Sequence, residues 1–204
     1  MAQSLTKTIQ SELQGITSVA ANAAPSISAV KDVSTLISGL ICIDFGLDSA
    51  TTPVGTEFKV DCSMEASGND AWRTLPGGRF ITGTVAPSAI TSDGTDASGA
   101  TTIPIGATTP ALGDLVFRKH GTIALSEWCR VVAISAGVSY AIQDALTNDQ
   151  ATTVHYNKAE YFMALFNFEG VKRIRVVCNN NYAASSASCV WRCALITTDN
   201  VTVV

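Results

Sequence analysis

Nucleophilic catalysis needs a serine or cysteine beside a histidine and an orienting carboxylate, and this chain carries only two histidines, His120 and His155. Neither lies in a catalytic signature, and no G-x-S-x-G elbow is present. His120 precedes Gly121 in an expected turn, and His155, in Val154-His155-Tyr156, falls at a module boundary. Neither reads as a base. Paired carboxylates are the other route to hydrolysis. Asp61 and Glu65 share one strand face about 13 Å apart at ~3.3 Å per residue, outside the ~5–9.5 Å window of glycosidase pairs. They read as a solvated strand face. Phosphate-cradling glycine loops are absent. Asp93 and Asp96 fall in a turn without an EF-hand pattern.

The six cysteines, Cys42, Cys62, Cys129, Cys178, Cys189 and Cys193, contain no C-x-x-C pair, so zinc-binding spacing is missing. Cys189 and Cys193 lie about 13 Å apart along a strand at ~3.3 Å per residue, beyond the ~7 Å limit for a disulfide. Each cysteine reads as a small buried hydrophobe. No catalytic, cofactor-binding or metal-binding residue emerges, and the expectation is a protein that is not an enzyme and holds no cofactor.

What remains is binding chemistry. Arg173 and Arg175 share the outward face of an expected strand, where they can grip a partner's carboxylates or a phosphate. Trp72 follows a turn and offers a ring face to a sugar, whereas Trp191 has inward parity and reads as core. Leu5, Ile9, Leu13 and Ile16 recur through a stretch otherwise rich in Ser, Thr and Gln, as though made for a partner's groove.

Composition limits the partners. The chain has 204 residues with 13 Lys+Arg against 17 Asp+Glu, a formal charge of −4, which disfavours general nucleic-acid binding. Charged residues make up 15%, well below the ~25% of an average domain. No apolar run approaches the ~20 residues of a membrane-spanning helix. Met1 to Gln14 lacks the charged start and apolar block of a signal peptide.

Four stretches position these residues. Residues 1–34 hold too few apolar groups for a core of their own and are expected to form an N-terminal arm that orders on a partner. A truncation starting at Asp32 is then expected to fold. Residues 35–85 alternate with period two: Ile41, Ile43 and Phe45, then Phe58, Val60, Cys62 and Met64 against Lys59, Asp61, Ser63 and Glu65. Ser67-Gly68-Asn69-Asp70 turns this run into Trp72–Leu75, a hairpin that Pro76-Gly77-Gly78 breaks. Residues 86–154 open with a loop at Thr91–Thr102 and continue as short strands at Thr101–Ile105, Leu115–Arg118, Trp128–Ile134 and Tyr140–Ile142. They read as an inserted small β-barrel or meander. In residues 155–204, Tyr161–Asn167 is apolar enough for a central strand. Ile174, Val176 and Cys178, then Trp191, Cys193 and Leu195, face inward. The expected fold is all-β: an antiparallel β-sandwich, jelly-roll-like, with the insert and the arm.

The order of several segments resembles structural proteins of tailed-bacteriophage particles. The segments are Asp32-Val33-Ser34-Thr35 leading into Ile41–Gly46, Glu65-Ala66-Ser67 with Trp72-Arg73-Thr74-Leu75, and Leu112-Gly113-Asp114-Leu115-Val116-Phe117. Gly121-Thr122-Ile123-Ala124, Ser126-Glu127-Trp128, Ile174-Arg175-Val176-Val177 and Asn179-Asn180-Asn181 complete them. The resemblance implies a virion protein made in the bacterial cytoplasm, most simply a capsid decoration or cement protein. It implies the major capsid protein or other virion proteins as partners and a homo-oligomer, trimer or dimer. A tail, neck or baseplate component, or a glycan-binding module using Trp72, are the alternatives.

Overall fold

A computed structural model describes residues 3–47, 56–68, 71–81, 89–91, 96–106, 109–149, 155–158, 160–181 and 188–203. Among them are fifteen strands, one 3₁₀ turn at Ile123–Leu125 and no α-helix. The strands are β1 (Gln3–Val19), β2 (Ser26–Ile27), β3 (Lys31–Asp32), β4 (Ser38–Leu47), β5 (Thr56–Ser63), β6 (Arg73–Ile81), β7 (Ala89–Thr91) and β8 (Thr102–Pro104). After them come β9 (Leu115–Arg118), β10 (Glu127–Ser135), β11 (Ser139–Ile142), β12 (His155–Lys158), β13 (Glu160–Asn167), β14 (Arg173–Asn180) and β15 (Cys189–Val203). The pairings are antiparallel.

Period-two patterning dictates two of the three sheets. One runs β1-β15-β4-β13, the other β2-β14-β5-β6 with β3 also on β14. Their apolar faces meet in one core: Ile41, Ile43, Phe45, Trp191, Cys193 and Leu195 from the first, Phe58, Val60, Ile174, Val176 and Cys178 from the second. Aromatic rings bridge the layers, with Phe45 5.0 Å from Phe58 and Phe58 5.8 Å from Trp191 between centroids. Each such buried side chain contributes ~1.5–3 kcal/mol, so the inward rows hold the layers together. The six cysteines are free thiols, four buried and two half-buried. Burial pushes the Cys129 thiol up to about 11, which leaves it unreactive at neutral pH.

The third sheet, β7-β12-β9-β10-β11-β8, has its own core of Ile103, Val116, Val131, Tyr140, Ile142 and Leu146. Its path ends at β7 and β8, so it is an open sheet rather than a closed barrel. It also extends past the expected boundary at residue 154, and inside the expected span it holds a strand before residue 101. His155–Lys158 pairs with β7 and β9, and Ala89–Thr91 is a strand up to the start of the expected loop. Both segments gain backbone pairing that local composition does not signal.

This module seats against the outer face of the β4–β15 pair. Phe117 and Val190 are fully buried there, flanked by Ile16, Leu115, Ile123 and Trp128. Gly46 makes the close approach possible, because a Cβ at that position would overlap the ring and Cβ of Phe117. Gly46→Ala is therefore expected to destabilise the protein by ~1–3 kcal/mol, the usual cost of overpacking. Urea unfolding measures it, and an unchanged midpoint would mean that Phe117 yields freely.

Three expectations are corrected. Residues 1–34 are not a detached arm: Gln3–Val19 pairs with β15 from Gln3↔Val203 to Val19↔Cys189, and Leu13 and Val19 enter the shared core. The segment lacks a core of its own, but a long C-terminal strand of the same chain supplies its partner. Pro76-Gly77-Gly78 does not end β6. It forms an irregularity between the Lys59↔Arg79 and Asp61↔Thr74 pairs, with Gly77 at φ +71°. Tyr161–Asn167 is not central. As part of β13 it ends its sheet among the described residues.

Candidate partner-binding surfaces

The outer face of β14 brings together three residues that the sequence singled out separately. Arg175 stacks over the Trp72 ring with its guanidinium carbon 4.3 Å from the centroid, and Arg173 lies at 5.4 Å. Asp61, opposite Arg175 in register, accepts a hydrogen bond from the Thr74 hydroxyl at 2.9 Å and faces the Arg175 guanidinium at 3.6 Å. Arg173 donates from Nε to the Glu65 carbonyl at 2.9 Å. The Trp72 ring is thus half-buried and engaged by two cations of its own chain, where a sugar-binding ring needs an open face. The solvated carboxylate face expected of Asp61 is replaced by a covered one, since Asp61 is 9% exposed.

The same face continues as a charge ladder. Glu57 is buried under Lys59, 3.1 Å away, and Arg79. Burial favours the neutral acid, but hydrogen bonds from Arg79 and Lys59 outweigh it and hold the Glu57 carboxyl below its ordinary value. A carboxyl depressed in the folded state stabilises the fold above its unfolded pKa, and that contribution is lost as pH falls through the folded value. Glu57→Gln is accordingly expected to lower stability at pH 7 and to flatten its decline below about pH 4.5. Thermal midpoints from pH 7 to 3 test this, and parallel curves for both proteins would refute it.

The outer face of the other sheet is unlike this one. Tyr161, Met163 and Leu165 of β13 point away from the core and are 51%, 54% and 72% exposed. In register beside them stand Asp44 and Arg192, then Cys42 and Ala194, then Leu40 and Ile196. The Asp44–Arg192 ion pair, at 2.8 Å, closes the row nearest the inserted module, and Arg192 stacks over Trp128 at 5.0 Å. Beyond that row the positions from β4, β13 and β15 are apolar and, among the described residues, not covered, while Glu12 of β1 stands opposite Ala194. The module therefore hides one end of this face and leaves the other open. An alternating apolar run cannot reveal this from sequence, because buried and exposed positions along β13 are equally hydrophobic.

Among the sequence candidates, Leu13 is buried in the core and Ile16 is half-buried at the module junction. The side chains of Leu5 and Ile9 lie outside the described residues, as does Asp93. His120 accepts the Thr122 N–H at Nδ1, 2.8 Å away, which is a local turn contact. The His155 side chain is outside the described residues, though its backbone pairs with Thr91. Asp96 is no turn ligand: it forms a wholly buried ion pair with Arg118 at 2.7 Å. Among the described residues no three His, Cys, Asp or Glu side chains are grouped to hold a metal ion.

Sheets and surfaces together define an all-β protein of open antiparallel sheets, with one face covered by its own charged side chains and, among the described residues, one exposed face that is largely apolar along β13. No family model matches the chain, and neither a curated protein nor a solved structure matches it.

Proposed function

We propose that this chain is a structural protein of a tailed-phage particle, a capsid decoration protein whose open apolar sheet face docks on the shell. One observation carries the docking: the contiguous row of Tyr161, Met163 and Leu165 beside Cys42, Ala194, Leu40 and Ile196. Large exposed apolar patches mark contact surfaces. The three β13 side chains are between half and three-quarters exposed, so covering them offers ~3–5 kcal/mol at ~1.5–3 kcal/mol per fully buried side chain. The phage assignment itself rests on the resemblance of the segments named above. Two sheets facing one core support the sandwich reading of the fold. The anchoring role expected of residues 1–34 takes a different form in this reading. Among the described residues β1 is an edge strand, and the part of its second edge not already engaged by Ala29 and Asn180 is offered to a neighbouring virion protein.

Particles banded from lysates of cells that make the protein are expected to carry it at a copy number matching the shell lattice. The Cys42 thiol, on the open face, should be alkylated in the free protein and protected in the particle. A copy number matching the tail would move the protein to that organelle. Absence from the particles overturns the proposal.

A further inference from the structure

Natural edge strands are guarded by lysine, proline, bulges or short length, because an open edge recruits another strand. The edges of the two facing sheets can be compared on this basis. β2 and β3 are two residues long. β6 contains Pro76, Arg73 and Arg79 and an irregular register. β1 carries Lys7 and Glu12 and shifts register at four places. β13 has none of these devices from Tyr161 to Phe166. Tyr161-Phe162-Met163-Ala164-Leu165-Phe166 bears no charge and no proline, and its register with β4 runs unshifted from Glu160↔Phe45 to Asn167↔Ser38.

We propose that β13 pairs antiparallel with β13 of a second copy of this chain, about a two-fold axis through Met163. Residues directly opposed across such a pair point to the same face. An axis at Met163 opposes Met163 with Met163, and Tyr161 of each copy with Leu165 of the other. The outward row then stays apolar throughout. Moving the axis to Ala164 would set Asn167 against Tyr161 in that row. Charge favours the same contact, since two chains of formal charge −4 meet there on a neutral strip. The two four-stranded sheets become one of eight, and their open faces become one continuous face. That this doubled face is what the particle covers rests on the function proposed above, whereas the pairing does not.

β13 is eight residues long, about 26 Å at ~3.3 Å per residue. So short a contact falls below the ~1,600 Å² of a standard stable interface, and the dimer is concentration-dependent in solution. Sedimentation velocity of the full chain should show the mass rising from 21.3 kDa toward twice that value with concentration. Met163→Lys places like charges together on the axis and should weaken association by roughly tenfold or more. Its thermal midpoint should be unchanged, because Met163 is 54% exposed. Opposed Cα atoms in an antiparallel pair stand ~4.5–5.5 Å apart, within disulfide reach. In a Cys42→Ser background, Met163→Cys should therefore give covalent dimers on mild oxidation. Leu165→Cys should not, since the two copies of that position are offset by ~13 Å along the strands. A monomer at every concentration, association unaffected by Met163→Lys, or equal cross-linking at both positions would overturn the pairing. Failure of the particle reading appears separately, as a dimer absent from particles.

Discussion

Replacing Arg118 with leucine is expected to cost ~3–5 kcal/mol, because it leaves the Asp96 carboxylate buried without its cation. Arg118 and Asp96 are 0% and 1% exposed at their side chains and meet at 2.7 Å. They tie β9 to the segment that leads into β8. Arg118 also sits beside Cys129, whose thiol its charge favours in the ionised form against the stronger effect of burial. Asp96→Asn should cost a similar amount, since it removes the carboxylate that balances the buried guanidinium. Replacing both residues with apolar side chains of similar volume should recover most of the loss, as buried ion pairs add little over well-packed hydrophobes. Urea unfolding of the three variants tests the account. A single Arg118→Leu change costing under ~1 kcal/mol, the scale of exposed pairs, would show that water reaches the pair.

Deleting residues 1–31 is expected to abolish cooperative folding, the opposite of what an independent arm implies. The deletion removes β1, which supplies Leu13 and Val19 to the core at ~1.5–3 kcal/mol each. It also strips one edge of β15 of its partner over most of that strand's length. Two further ties are lost: the Leu13 carbonyl accepts the Ala29 N–H, and the Val19 carbonyl accepts from Asn180 Nδ2, each at 2.9 Å. The side chains alone amount to ~3–6 kcal/mol, comparable to the ~5–15 kcal/mol net stability of a typical domain. Circular dichroism during heating is the measurement. A sharp transition in the truncated chain, within a few degrees of the full one, would return the segment to the status of an arm.

The two predictions differ in how far the sequence foreshadowed them. Leu13 stood out by its spacing, but its destination did not, because an apolar residue every fourth position is compatible with a groove on a partner or a core in the same chain. Asp96 gave no sign of burial. A charged residue among Ser, Gly and Thr looks solvated until another element places a guanidinium over it. Arg173, Arg175 and Trp72 each stand out in the residue order, but their union depends on β5, β6 and β14 lying in one sheet. Tyr161, Met163 and Leu165 form with their neighbours one apolar run in the sequence, and only the position of β13 at the edge separates outward from inward.

The sequence by itself determined the β character of the chain and the inward rows Ile41–Ile43–Phe45, Ile174–Val176–Cys178 and Trp191–Cys193–Leu195. Side chains alternate across a strand with period two, so a half-buried strand writes its inner face directly into the residue order. Tertiary structure alone decided the strand order, the pairing of β1 with β15, the open form of the inserted sheet and the edge position of β13. These depend on contacts between residues up to two hundred positions apart, as Gln3 and Val203 are. Local alternation carries no record of which strand lies alongside which, and it is the unpaired edge that turns an ordinary hydrophobic strand into a surface for another molecule.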